Sequence, residues 1–209
     1  MSRTVRLWRA HVEDGRAQLL LEVDGAALDL SHWLDANEPG APREVTGLLA
    51  AGFFERARLE AALARGHWKR ARTPTDVDVP IEPERVGKIL ALGKNFKEHA
   101  AEFGEAVPEQ PLFFNKLPET LRPDGASVRV PSWYTARVDH EVELAVVIGK
   151  QGYEIDEARA FEHVAGYSVA DDLTARTLQG DDRKLKYPWF RGKNLDGFCP
   201  LGPCIVPRD

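Results

Sequence analysis

The stretch Val138-Asp-His-Glu-Val-Glu-Leu-Ala-Val-Val-Ile148 constrains this chain more than any other. Apolar residues first alternate with charged ones and then run on without interruption, which is the pattern of a strand entering a core. Side chains along a strand point alternately to its two faces. Asp139, Glu141 and Glu143 therefore share one face, and Val142, Leu144 and Val146 the other. Past Glu143 the acidic face continues with Ala145 and Val147 and so becomes apolar. Carboxylates two residues apart on a strand heading into a core repel each other, and a cation, a base or water must offset that repulsion. A hard divalent ion such as Mg²⁺ or Mn²⁺ suits oxygen ligands of this kind. A solvent-facing acidic edge produces the same pattern.

Around this strand the other elements fall into two regions. In residues 1–80, Thr4–Trp8, Ala17–Val23 and Ala27–Leu30 read as a β-meander with turns at Glu13-Asp14-Gly15 and Asp24-Gly25. Ser31 is placed to cap a short helix carrying Trp33 and Leu34, and Arg43–Ala64 is helix-like with a break at Gly52 and a stop at Gly66. Lys69–Pro83 reads as a linker. The second region, 84–209, holds strands at Val86–Leu92, Leu112–Asn115, Val138–Ile148 and Val164–Ala170. It also holds short helices at Lys94–Phe103 and Ile155–His163, the latter capped by Asp156. Pro118–Pro131 reads as a loop, and Asp172–Pro200 as polar and irregular. Strands outnumber helices and do not alternate with them, so the expectation is an α+β fold, a β-rich catalytic domain behind a small N-terminal domain, rather than a doubly wound sheet.

Composition removes several functions. With 43% hydrophobic and 29% charged residues the chain has the balance of a globular protein. No run of about 18 apolar residues is present, so no membrane span is expected. The start lacks an apolar core and a cleavage signature, and the two cysteines, Cys199 and Cys204, make neither a disulfide scaffold nor a zinc pattern. A cytoplasmic location follows as an expectation. A net charge of −5 argues against a nucleic-acid face.

Further residues carry chemistry. If Lys94–Phe103 is helical, His99 and Glu102 share a face, and the carboxylate would fix the imidazole tautomer and raise its basicity, as suits a general base. A surface ion pair has the same spacing. Asp171-Asp172 ends an apolar stretch, where carboxylates serve a site or start a turn. Lys116, Arg176 and Lys193 are cations that solvent alone would explain.

Taken in order, these segments resemble the fumarylacetoacetate hydrolase family. They are Lys88-Ile-Leu-Ala-Leu-Gly-Lys-Asn-Phe-Lys-Glu-His99-Ala-Ala-Glu102, Pro111-Leu-Phe-Phe-Asn-Lys116, Asp139-His-Glu141-Val-Glu143-Leu, Asp172-Leu-Thr-Ala-Arg176 with Gln179, and Trp189 to Lys193 leading into Phe198-Cys-Pro-Leu-Gly-Pro203. The resemblance covers residues 84–209 and leaves 1–80 as a variable N-terminal domain.

The resemblance implies a mixed β-sandwich roll and an Mg²⁺ or Mn²⁺ site with Glu141, Glu143 and Asp172 as ligands. His99 and Glu102 would activate water, and Lys116, Arg176, Gln179 and Lys193 would surround the substrate or the metal's outer contacts. Asp139 and Asp171 stand beside the ligands without a consistent ligand role. The implied activity is hydrolysis of a C–C bond in a 2-oxo acid of acylpyruvate or fumarylacetoacetate type. The alternatives are isomerisation or decarboxylation of an unsaturated 2-oxo diacid in aromatic catabolism, or a non-catalytic domain that binds oxo acids. The expected partners are the small substrate and a second copy in a homodimer. Thr177 stands where many members have Asp, and the glycine-rich Thr-Gly-Thr-Pro-like loop of relatives has no counterpart, so the expectation is a catalytic domain incomplete at its C-terminus.

Overall fold

A computed structural model describes residues 3–11, 17–96 and 108–208. The N-terminal meander forms as the sequence predicts: β1 (Val5–His11), β2 (Ala17–Val23) and β3 (Ala26–Asp29) pair antiparallel in that order. Asp24 and Gly25 both have positive φ, 50° and 83°, the conformation that a two-residue hairpin turn requires and that Asp-Gly tolerates well. Three helices follow, α1 (Leu30–Asn37), α2 (Val45–Ala50) and α3 (Arg56–Arg65). The cap of α1 is Asp29 rather than Ser31: Asp29 Oδ1 accepts the His32 N–H at 2.8 Å. The Ser31 hydroxyl instead accepts the Leu19 N–H at 3.0 Å and ties α1 to β2.

Residues 69–83 are not a loose linker. Their backbone bonds to both flanks of the meander, with Asp29 N–H donating to Lys69 O at 2.9 Å and Asp78 N–H donating to Arg9 O at 2.8 Å. Val79 and Glu82 are buried. Without helical or alternating periodicity, such a stretch gives no sign that it is packed.

In the second region β4 (Ile89–Gly93) pairs with β5 (Leu112–Lys116) as a separate hairpin-like pair. Residues 118–131, expected as loop, include the short strand β6 (Leu121–Pro123). The acidic strand is interrupted. Val138–Asp139 forms β7, and β8 begins at Val142 and runs to Ile148, leaving His140 and Glu141 between them. Residues 157–163 form a 3₁₀ helix, and the Asp156 side chain makes no cap bond. It leads into β9 (Val164–Asp171). The expected irregular stretch after Asp172 contains β10 (Thr174–Ala175), α4 (Arg176–Lys184) and α5 (Phe190–Lys193) before β11 (Cys199–Pro207).

One sheet in the order β3-β2-β1-β11-β9-β8 joins the two regions, with β6 pairing to β11 off that path. Strand β11 makes the junction. Its first half lies parallel to β6, through Cys199↔Leu121 to Leu201↔Pro123, and its second half meets β1 at Leu7↔Ile205. The main core follows the same path: Leu7, Leu21, Leu30, Trp33 and Phe53 are buried together with Val147 and Ile205. The inner face of β8 thus changes from Glu143 through Ala145 to buried Val147, as the alternation predicts. Its outer face, with Val142 at 72% exposure and Leu144 at 64%, lies open alongside Val169. The architecture is the expected α+β, β-rich arrangement. No described helix is long and apolar enough to cross a membrane.

Candidate active site

Strand ends and two short helices bring the charged residues together. Glu141 lies in the gap between β7 and β8, where the Asp171 carboxylate accepts its N–H at 2.9 Å and its carbonyl accepts the Asp172 N–H at 2.8 Å. That reciprocal pair fixes Glu141 beside Asp172 at the end of β9. Lys116 enters from the end of β5 and Lys193 from α5. Helix α5 reaches the site because Gly192 lies against α4: a Cβ there would sit 2.9 Å from the Gln179 nitrogen.

The resulting network is dense. Lys116 Nζ donates to Asp172 Oδ1 at 2.6 Å and to the Lys193 carbonyl at 2.7 Å. Lys193 Nζ donates to Glu141 Oε2 at 2.7 Å and to Asp172 Oδ2. Arg176, the first residue of α4, donates through Nη2 to Glu141 Oε1, through Nη1 to Gln179 Oε1 at 2.7 Å and through Nε to Asp139 Oδ2 at 2.8 Å. Lys193 is 2% exposed and Asp172 5%, so these charges are sheltered from water and depend on one another. The Phe114 ring lies 5.0 Å from Lys193 Nζ, and Trp189 packs on Phe114 at 5.7 Å. A cavity of about 620 Å³ opens over this network, lined on one side by Glu141, Glu143, Asp172, Arg176 and Lys193 and on the other by Leu92, Phe96, Phe114 and Trp189.

The electrostatics separate the carboxylates. Burial would raise the Glu141 pKa, but Lys193 and Arg176 outweigh it and hold the group below its ordinary value. For Glu143 the balance is reversed: burial and the nearby Asp172 and Glu141 charges outweigh the Lys193 charge and push it up to about 7. It is the carboxylate with the least compensation, in a pocket with two others. Among the described residues no group of three His, Cys, Asp or Glu side chains is placed to hold a metal ion as it stands; Lys193 Nζ sits between Glu141 and Asp172. The donor set nonetheless has the chemistry of a hard cation site: the carboxylates of Glu141, Glu143 and Asp172 all face one pocket, and the Glu143 charge is outweighed by burial and by its like-charged neighbours.

The sequence-derived residues Glu141, Glu143, Asp172, Lys116, Arg176, Gln179 and Lys193 therefore assemble in one place. His99 and Glu102 lie outside the described residues. Phe114, Trp189, His140 and Lys94, which stand in the quoted segments without an assigned role, also line the pocket, as does Arg183, which the sequence reading did not single out. Asp139 and Asp171 touch the site through Arg176 and the Glu141 backbone. Where Asp is expected after Ala175-Arg176, the Thr177 N–H donates to the Tyr134 hydroxyl at 3.2 Å. Cys199 and Cys204 are free and buried, and burial pushes the Cys199 thiol up to about 11, so it packs as a small hydrophobe.

In this β-rich α+β chain the strand ends converge on a pocket of carboxylates, lysines and arginines. Residues 88–209 match the family described as fumarylacetoacetate (FAA) hydrolase, C-terminal, and the chain belongs to that family of enzymes. An oxaloacetate tautomerase, mitochondrial fahd2 of Xenopus laevis, is 34% identical over 208 residues, covering 99% of this chain and 62% of the relative. A fumarylacetoacetate hydrolase from psychrophilic Exiguobacterium antarcticum superposes with a TM-score of 0.76 at 29% identity, over 97% of this chain and 66% of that one. A fumarylpyruvate hydrolase from Pseudomonas aeruginosa, in complex with Mn²⁺ and pyruvate, has a TM-score of 0.53 at 35% identity, over 58% of this chain and 54% of that one. The chain thus spans a little over half to two thirds of the length of these relatives.

Proposed function

We propose that this chain carries the site of a divalent-metal-dependent enzyme that forms an enolate from a 2-oxo acid, with keto–enol isomerisation as its reaction. The observation that supports it is the convergence of Glu141, Glu143 and Asp172 with Lys116, Arg176 and Lys193 in one sheltered pocket. Mg²⁺ or Mn²⁺ held by the three carboxylates would supply Lewis-acid polarisation of the keto oxygen. The protein's own part is largely binding and charge placement. Arg176 and Lys193 would supply positive charge to the substrate carboxylate and the developing enolate oxygen. Gln179 anchors Arg176, and Phe114 with Trp189 walls off water on the side of Lys193. In the isomerisation a base removes the proton from the carbon next to the keto group, and a proton is delivered to the oxygen. His99 with Glu102 is the proposed base.

C–C hydrolysis of an acylpyruvate-type substrate is the second reading, favoured by the hydrolase neighbours. It needs one more step from the same pair: His99 would deprotonate water for attack on the distal carbonyl, and the electrons of the broken bond would pass to the departing oxo acid. A cytoplasmic homodimer accompanies either reading. It is supported by the scarce cysteines and by the open apolar face of β8, and light scattering reads it.

The test supplies Mn²⁺ with either oxaloacetate or an acylpyruvate and follows enol absorbance and pyruvate release separately. Faster enol–keto equilibration without pyruvate from the acylpyruvate is expected. Release of pyruvate and a carboxylic acid from the acylpyruvate would replace the isomerase reading with the hydrolase, whereas pyruvate from oxaloacetate beyond that formed by Mn²⁺ alone would mark a decarboxylase. Mn²⁺ and oxalate binding with neither reaction would make the chain a non-catalytic oxo-acid-binding domain.

A further inference from the structure

We infer that Asp139 is a positioning residue for Arg176, and through Arg176 for the carboxylate of a bound 2-oxo acid; the last part rests on the function proposed above. Asp139 does not line the pocket. It stands one layer behind it, at the end of β7, and the pairing Thr174↔Asp139 and Ala175↔Val138 delivers the start of α4 against it. The Arg176 N–H donates to the Arg137 carbonyl at 3.0 Å, so the backbone of the arginine is fixed before its side chain is considered.

The guanidinium is planar, and its N–H groups form a rigid fork. Asp139 holds the Nε edge at 2.8 Å, and Gln179 holds Nη1 at 2.7 Å. With these two edges held, Nη2 donates to Glu141 Oε1. Without Asp139 the head group is released on the side away from the pocket and can turn to meet Glu141 with two N–H groups instead of one. Asp139 itself is clamped from outside by Arg137, and the two arginines outweigh the effect of burial and keep its carboxyl below the ordinary value.

A double-mutant cycle tests this with four proteins: wild type, Asp139→Asn, Arg176→Gln and the double variant. Each is loaded with Mn²⁺ and titrated with oxalate by calorimetry. Asp139→Asn is expected to weaken oxalate about tenfold while Arg176 is present and less than about twofold in the Arg176→Gln background, with the Mn²⁺ affinity itself shifting less than about threefold. Arg176→Lys, which keeps the charge and loses the fork, is expected to weaken oxalate as Asp139→Asn does. Equal losses in both backgrounds, no loss at all, or wild-type oxalate binding by Arg176→Lys would overturn the inference. Thermal melts of the same proteins without metal separate it from the reading beneath it. Non-additive shifts are expected, and additive ones overturn the positioning role, whereas failure of the wild type to bind Mn²⁺ overturns the proposed function alone.

Discussion

The two ends of the sheet are held together by opposite means. Around β1–β3 and α1–α3 the interior is apolar: Trp33 stacks on Trp68 at 5.0 Å and meets Phe53 edge-on at 5.9 Å, over fully buried Leu7, Leu21 and Leu34. Around β8, β9 and α4–α5 the interior is ionic, with Lys116, Asp172, Lys193, Glu141 and Arg176 joined in one chain of hydrogen bonds. Apolar packing needs no particular partner and gains with area. A buried ionic network stabilises only while every member is present, and its value lies in the fixed geometry it imposes.

The largest expected effects separate these two interiors. Trp33→Ala should cost about 3–5 kcal/mol through the cavity and lost burial. Lys116→Met should cost a similar about 3–5 kcal/mol by leaving Asp172 short of a cation. Metal distinguishes them: saturating Mn²⁺ is expected to raise the melting temperature of Trp33→Ala by the same increment as that of the wild type, and that of Lys116→Met by a larger one. An equal increment in both would mean that the ionic interior is not where the metal binds.

Next in size, Glu143→Ala is expected to weaken Mn²⁺ binding about a hundredfold, or about 2.7 kcal/mol, while the circular dichroism and the cooperative melt persist. Retained affinity in a calorimetric titration would remove Glu143 from the ligand set.

The same residue sets a pH dependence. Its pKa in the folded, metal-free protein is about 7, above the ordinary 4.5. A raised folded value favours the protonated form. Its contribution to stability is therefore full below about pH 4.5 and is lost as the pH rises through about 7. Metal binding runs the other way, because the proton must leave: Mn²⁺ affinity is expected to rise up to about tenfold per pH unit below 7 and to level off above it. Glu143→Gln should flatten the stability profile. An unchanged profile would show that the carboxyl is not the titrating group.

The contrast also explains what could be read from the sequence. The apolar end was legible because its signals are local: the apolar run Ala17–Val23, Asp24-Gly25 at the turn, Gly66 after α3. The ligand-type residues were legible through the spacing Glu141-x-Glu143 and the order of the motifs. Helix α4 was not, because Arg176, Gln179, Gly180 and Arg183 form its inward face and look into a polar pocket. A helix that turns charged residues toward a site shows no apolar stripe for periodicity to find. The break between β7 and β8 was hidden for a related reason. The alternation continues through His140-Glu141 in the sequence, while the backbone there bonds to Asp171 and Asp172 rather than along a strand.

The smallest expected effect tests whether the two interiors are also joined by a polar contact. Helix α2 has no cap from its own Glu44. Its first N–H groups, Val45 and Thr46, donate at 2.8 and 3.0 Å to Glu82, which comes from the segment leading into the second region. Glu82 is 5% exposed and replaces the local cap with one from 37 residues away. A carboxylate satisfies both donors at a positive helix end, and an amide can accept with only one of its two atoms. Glu82→Gln should therefore cost about 1 kcal/mol, seen as a lower melting temperature without loss of cooperativity. Glu44→Gln, which removes an acid nearby and its exposed ion pair with Arg85 but no cap bond, should leave the melt nearly unchanged. If both variants melt alike, the contact from Glu82 contributes charge alone.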